Sequence, residues 1–144
     1  MKSYADTGFI ASVFLRETTQ AAARRAVSAM REPLPLTPLT MLEFRNTLNL
    51  AIVRKRITMA ERDSLWREFE AQIHEGFFVE AAVSATALHA EARELSDRHT
   101  PKLGTRSLDL LHVAAAKLLG AREFFSFDAR QRKAAAAEGL KVRP

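Results

Sequence analysis

The stretch Glu123-Phe124-Phe125-Ser126-Phe127-Asp128-Ala129-Arg130-Gln131 decides how the chain is read. Residues 123–127 are aromatic-rich and bounded by a turn residue, as a short strand requires, and residues 129–138 read as a helix. Asp128 stands at the junction. The opening of the chain has the same order: residues 2–6 read as a strand ending on Asp6. A helix over 8–16 follows, with Phe9, Ile10, Val13 and Phe14 at helical spacing. Between these ends, 34–37 and 77–79 read as strands, and a last short strand lies around 140–142. Helices are expected over 18–31, 38–55, 58–75, 84–99 and 107–119, with 100–106 as a loop. Short strands alternating with longer helices predict an α/β fold. The expectation is a central, mainly parallel sheet of four or five short strands flanked by about seven helices, forming one domain over 1–144.

Several boundaries carry their own chemistry. Pro38 suits a first helical position, where its missing N–H costs nothing. Thr58 is a natural cap for the next helix, and Gly120 a natural stop. Leu39, Leu42, Asn46, Leu50 and Val53 lie near one face of the helix over 38–55, and Leu65, Trp66, Phe69 and Ile73 near one face of the next. Phe9, Phe14, Leu65, Trp66 and Phe69 are expected in the core. Part of the apolar surface on 39–75 is a candidate for a dimer or partner interface.

Composition narrows the functional classes. The chain has 144 residues, 47% hydrophobic and 27% charged, which excludes disorder and low complexity. It contains no cysteine, so disulfides, thiolate zinc sites and cysteine nucleophiles are excluded together. A cytoplasmic setting suits that composition. Lysine plus arginine number 22 against 17 acids, a balance that favours polyanionic partners. No apolar run reaches the ~18 residues that span a bilayer, so no membrane partner is expected. The opening, interrupted by Asp6, is not expected to be a signal peptide. No P-loop, Gly-x-Gly-x-x-Gly or Gly-x-Ser-x-Gly motif is present.

Four acids stand apart from the solvated majority. Asp6 and Asp128 end strands, Glu43 lies early in the helix after the second strand, and Asp109 sits in a first helical turn inside Leu108-Asp109-Leu110-Leu111. In a parallel sheet, the strand carboxyl ends and the following helix amino ends share one edge, where ligands bind. Carboxylates gathered there repel one another unless a cation neutralises them. Their oxygens are the hard donors that Mg²⁺ and Mn²⁺ prefer, and such ions activate water in phosphodiester hydrolysis. Each acid also has a purely structural explanation. Asp6 and Asp128 could be helix caps, Thr40-Met41-Leu42-Glu43 matches a capping box, and Asp109 complements a helix dipole. Glu43 and Asp109, set in apolar runs, fit those explanations less well.

Tyr4-Ala5-Asp6-Thr7, Thr37-Pro38-Leu39-Thr40-Met41-Leu42-Glu43, the run from Ser107 to Ala116 and the run from Phe125 to Gln131 together resemble the motifs of the PIN domain. The likeness extends to the VapC-type toxin ribonucleases of toxin–antitoxin pairs. It implies a Mg²⁺- or Mn²⁺-dependent endoribonuclease in which Asp6, Glu43, Asp109 and Asp128 form the catalytic, metal-holding cluster. It further implies supporting hydroxyls at Thr7 and Ser126, an antitoxin partner and a homodimer. Gly8 departs from the serine often found two positions after the first acid.

Arg106, Arg130 and Lys102 flank the acids in sequence and are the candidates for RNA phosphate contacts. Further bases gather at Arg54-Lys55-Arg56, at Arg98, and at Arg132 and Lys133. His112, three residues after Asp109, can share its helix flank, and is expected to pack or to hydrogen-bond behind the acids rather than to ligate metal. His74, His89 and His99 lack metal-ligand spacing. The alternative function is a non-catalytic nucleic-acid-binding or regulatory module, with the four acids as caps and the basic loops as its binding surface.

Overall fold

The structure is a computed structural model and describes residues 3–144. Lys2, assigned to the first strand from sequence, lies outside the described residues. Five three-residue strands and seven helices alternate: β1 (Ser3–Ala5), α1 (Thr7–Phe14), α2 (Gln20–Ser28), β2 (Leu34–Leu36), α3 (Pro38–Val53) and α4 (Met59–His74). Then follow β3 (Phe78–Glu80), α5 (Ala85–Leu103), α6 (Ser107–Leu118), β4 (Glu123–Phe125), α7 (Ala129–Ala137) and β5 (Lys141–Arg143). The described pairings are all parallel, as expected. They form two ladders rather than one continuous sheet: β1-β4-β5 and β2-β3.

Register follows from side-chain alternation. Tyr4 pairs with Phe124 and Ala5 with Phe125, so successive residues on both strands face opposite layers. Tyr4 and Phe124 pack with Leu95, Leu110 and Leu140 and the alanines of α6 and α7. Ala5 and Phe125 face the other layer, with Phe9, Phe14, Phe44, Phe69 and Phe78. Phe44 and Phe69 meet edge to face with ring centroids 4.7 Å apart, a favoured aromatic geometry. Ala114, Ala115 and Ala116 are all buried, and these small side chains let α6 lie close to its neighbours on more than one side. The core expected at Phe9, Phe14, Leu65, Trp66 and Phe69 is present.

Caps explain where the helices begin. Asp6, Thr37, Thr58, Ser84 and Asp128 each accept from the amide three residues on, and Thr58 and Glu61 complete a capping box. Because Thr37 is the cap of α3, Thr40 lies inside the helix and the expected Thr40–Glu43 capping box does not form.

Packing ranks the faces of α3, and one helix boundary is corrected. The buried face of α3 is Thr40, Phe44, Leu48 and Ala51, whereas Leu42 and Val53 are 69% and 76% exposed. This helix is apolar on two faces, so spacing alone selects neither; the aromatic Phe44 selects the core side. Helix α5 runs through Pro101 to Leu103, where a loop over 100–106 was expected. A proline this late removes one N–H, and the chain turns three residues later at Gly104, whose φ of 63° is a left-handed cap.

Candidate active site

Hydrogen bonds link the elements that carry the four acids to one another. The Asp6 amide donates to the Phe125 carbonyl (3.1 Å), so Asp6 directly extends the ladder before α1 begins. Its Oδ1 accepts from the Phe9 amide at 2.7 Å. The residue is 4% exposed, and no lysine or arginine pairs with it among the described residues. Burial pushes its pKa up; bonds from Ser126 and the Phe9 amide and the nearby His112 pull it down, while Asp128 adds to the rise. A carboxylate raised chiefly by its own burial, with Asp128 adding the least, is thus the electrostatic feature here.

Asp128 caps α7, its Oδ1 accepting from the Gln131 amide at 2.8 Å. Ser126, fully buried, accepts from the Asp128 amide at 3.0 Å and lies against Asp6, so it does stand between the first and last acids. Asp109 is not a cap: Arg106 occupies that position on α6, and its Nε lies 3.6 Å from Asp109 Oδ2. Gln131, also buried, donates from Nε2 to the Asp109 carbonyl at 3.1 Å, tying α7 and Asp128 to α6 and Asp109.

Glu43 comes from α3. Thr7 Oγ1 donates to its Oε1 at 3.0 Å, and His112 Nε2 lies 2.5 Å from the same oxygen. Burial raises the Glu43 pKa, but the His112 and Thr7 contacts outweigh it and the net shift is downward. Tyr4 closes this group, its hydroxyl 2.8 Å from His112 Nδ1. Burial raises the Tyr4 pKa, so the phenol keeps its proton. A Cβ on Gly8 would lie 3.6 Å from Asp6 Oδ1, an ordinary contact, so the position has room for a small side chain beside Asp6.

A divalent cation can be tested against this arrangement. Among the described residues no three acidic or histidine side chains stand close enough to form a ready-made metal cluster. The donor chemistry nevertheless fits a hard cation. The candidate side chains are carboxylates, and Asp6 is buried with no lysine or arginine paired to it.

Position separates the basic candidates. Lys102, Arg106 and Arg130 are exposed, and Arg106 and Arg130 begin the helices that carry or follow Asp109 and Asp128. Arg132 turns inward and donates to the carbonyls of Ser126, Arg143 and Pro144, a structural clamp on the carboxyl end. Arg98 pairs with Glu138, and Arg56 with Glu17. Tyr4 and Gln131 carry no signal as site residues in the sequence, because nothing in a lone tyrosine or glutamine announces a partner roughly a hundred or twenty residues away. The four acids, Thr7 and Ser126 carried that signal.

Residues 3–137 match the family model described as PIN domain. No curated protein matches the chain. Among solved structures, the chain is similar to VapC20 of Mycobacterium tuberculosis, described as a sarcin-ricin loop cleaving toxin. That likeness has 20% identity and a TM-score of 0.72 over 99% of this chain and 100% of that one. It is also similar to FitAcB of Neisseria gonorrhoeae, at 18% identity and a TM-score of 0.68, covering 99% and 96% of the two chains. A third similar structure is FitAB bound to an IR36 DNA fragment, at 18% identity and a TM-score of 0.67 over 98% and 93%. No helix among the described residues is long and apolar enough to cross a membrane.

Proposed function

Because the chain belongs to the PIN domain family, we propose that it is a Mg²⁺- or Mn²⁺-dependent endoribonuclease and the toxin of a type II toxin–antitoxin pair. The observation that carries this reading is Asp6: buried, raised in pKa by that burial, and paired with no lysine or arginine among the described residues. A carboxylate kept in that setting is destabilised by itself and stabilised by a cation. VapC20, similar in fold, is described as a sarcin-ricin loop cleaving toxin, and the proposal extends a cleaving activity of that class to this chain.

Asp6, Glu43 and Asp109 would hold the ion, with Asp128 completing the site. A divalent ion held there supplies a polarised water for in-line attack on the phosphodiester and charge stabilisation at the leaving oxygen. Ser126 keeps Asp6 and Asp128 at fixed separation by contacting both. Thr7 and His112 keep Glu43 Oε1 in place. Gln131 fixes the relative position of α6 and α7. Arg106, Arg130 and Lys102 are exposed and would neutralise RNA phosphates.

The proposal includes an antitoxin partner, a homodimer, a cytoplasmic setting and a single nuclease domain over 1–144. For the homodimer, the support is the exposed apolar stripe of Leu42, Leu50 and Val53 on α3, which a second copy would cover. RNA cleavage assayed with Mg²⁺ or Mn²⁺ tests the reading. Asp6→Asn and Asp109→Asn should abolish cleavage, and EDTA should stop the wild type. If RNA binding persists in EDTA and no cleavage occurs with either metal, the chain is a binding module whose Asp6 and Asp128 serve only as caps.

A further inference from the structure

Glu43 differs from the other three acids in how it is held. Asp6 and Asp128 are fixed by the amides they cap, and Asp109 belongs to a first helical turn. Glu43 has the longer side chain and comes from the middle of α3, so its carboxylate needs external support. Two donors converge on Oε1, the Thr7 hydroxyl and His112 Nε2, and Oε2 has no hydrogen-bond partner among the described residues. Both donors are neighbours of other acids: Thr7 follows Asp6, and His112 lies one helical turn after Asp109.

The hydrogen-bond inventory fixes the direction of the chain behind Glu43. A carboxylate has no proton to give, so His112 Nε2 must be the donor to Glu43. In a neutral ring Nδ1 is then an acceptor, and the Tyr4 hydroxyl, 2.8 Å away, must donate to it. Tyr4 is fully buried on β1, two residues before Asp6, and His112 is 3% exposed. The orientation of Glu43 is therefore referred back to the strand that carries Asp6.

We propose that Tyr4 and His112 are a positioning pair: Tyr4 holds the His112 ring through Nδ1, and His112 commits Glu43 Oε1, which leaves Oε2 as the cation-binding oxygen. The inference rests on the metal-dependent reading above. Partners of this kind behind a metal ligand typically set about 10–100-fold in metal affinity.

The test is calorimetric titration of Mn²⁺ alone into the full chain, for the wild type, Glu43→Gln, His112→Leu, His112→Gln and Tyr4→Phe. His112→Leu should weaken Mn²⁺ binding by about 10-fold or more. His112→Gln, which retains a side-chain N–H donor, should recover most of that loss. Tyr4→Phe, which preserves the ring packing, should weaken binding in the same direction by a smaller factor. Nitrogen NMR of the imidazole should show the Nε2–H tautomer in both the wild type and Tyr4→Phe and, in Tyr4→Phe, an Nδ1 resonance shifted by the loss of its hydrogen bond, a change that loss of packing alone does not produce. Weakened binding in Glu43→Gln with wild-type binding in His112→Leu and Tyr4→Phe would overturn the positioning role and leave the metal reading intact. Wild-type binding in Glu43→Gln as well would remove Glu43 from the metal site, and the inference with it. A wild-type ring protonated on Nδ1 would overturn the route through Nε2 to Glu43 even if His112→Leu weakens binding.

Discussion

Two carboxylates show how differently this fold treats buried negative charge. Glu138, after the last turn of α7, is 10% exposed at its side chain and accepts from Arg98 Nε (3.1 Å), His99 Nε2 (2.6 Å) and Lys117 Nζ (2.6 Å). Although burial pushes its pKa up, the three donors outweigh it and hold the group near 2. Lys117 also bonds Glu91, so α5, α6 and α7 are joined through one charged knot. Asp6 is more deeply buried, yet its neighbours of consequence are another acid, one hydroxyl, one backbone amide and His112, and its pKa is raised. A structural carboxylate in this protein is surrounded by cations from the chain itself. The carboxylate at the strand edge lacks them, which is the expected state of a group whose cation comes from solution.

The largest expected effect separates the two by activity. Asp6→Asn should lower metal-dependent RNA cleavage by more than about 100-fold, since a ligand matters more than its supporting partners. Asparagine caps a helix about as well as aspartate, so the melting temperature should hold or rise as the strained charge disappears. Glu138→Gln should do the reverse. Cleavage should stay near wild type while stability falls by about 2 kcal/mol, because Arg98, His99 and Lys117 lose the carboxylate they share. Thermal melts and an RNA cleavage assay on the same two proteins check both halves, and a Glu138→Gln variant without activity would erase the distinction.

Acid titration sharpens it further. Glu138 has a folded pKa below its ordinary 4.5, so its contribution is present above that value and is lost as pH falls from about 4.5 toward 2. Asp6 has a folded pKa above its ordinary 3.8, so protonation relieves the folded state and its contribution runs in the opposite sense. Urea unfolding across this range should therefore show a shallower acid loss in Glu138→Gln than in the wild type, and a steeper one in Asp6→Asn.

The smallest effects concern the exposed bases. Arg106→Ala and Arg130→Ala should each weaken RNA binding a few-fold and reduce its logarithmic salt dependence by about one unit. Arg98→Ala, whose charge is already committed to Glu138, should leave the salt dependence unchanged. Filter binding at several salt concentrations distinguishes them.

What was legible in the chain was local chemistry. Strand, acid and helix follow one another at Asp6 and Asp128 within a few residues, and a cap needs only three residues to form. The four acids stand out by their places at strand ends and in early helix turns, and two of them interrupt apolar runs. Which apolar face of α3 is buried was not legible, because Leu42, Leu50 and Val53 recur on one flank as Phe44, Leu48 and Ala51 do on another, and only tertiary packing ranks one above the other. The capping box at Thr40 failed because Thr37, three residues earlier, competes for the same role and has Pro38 after it. The split of the strands into two ladders, and the meeting of Tyr4 with His112 across 108 residues, depend on how layers stack, which no local pattern encodes.

The central claim is that the four acids take up a divalent cation, and metal-linked stability tests it without any RNA. Melting curves of the wild type, Asp6→Asn and Glu138→Gln should be recorded in EDTA and in excess Mn²⁺. At 100 times the dissociation constant, binding to the folded state adds about 2.7 kcal/mol. The wild type and Glu138→Gln should gain that stability on adding Mn²⁺, and Asp6→Asn should gain little of it. A wild-type melting temperature indifferent to Mn²⁺, or an Asp6→Asn variant that gains as much as the wild type, would contradict the account.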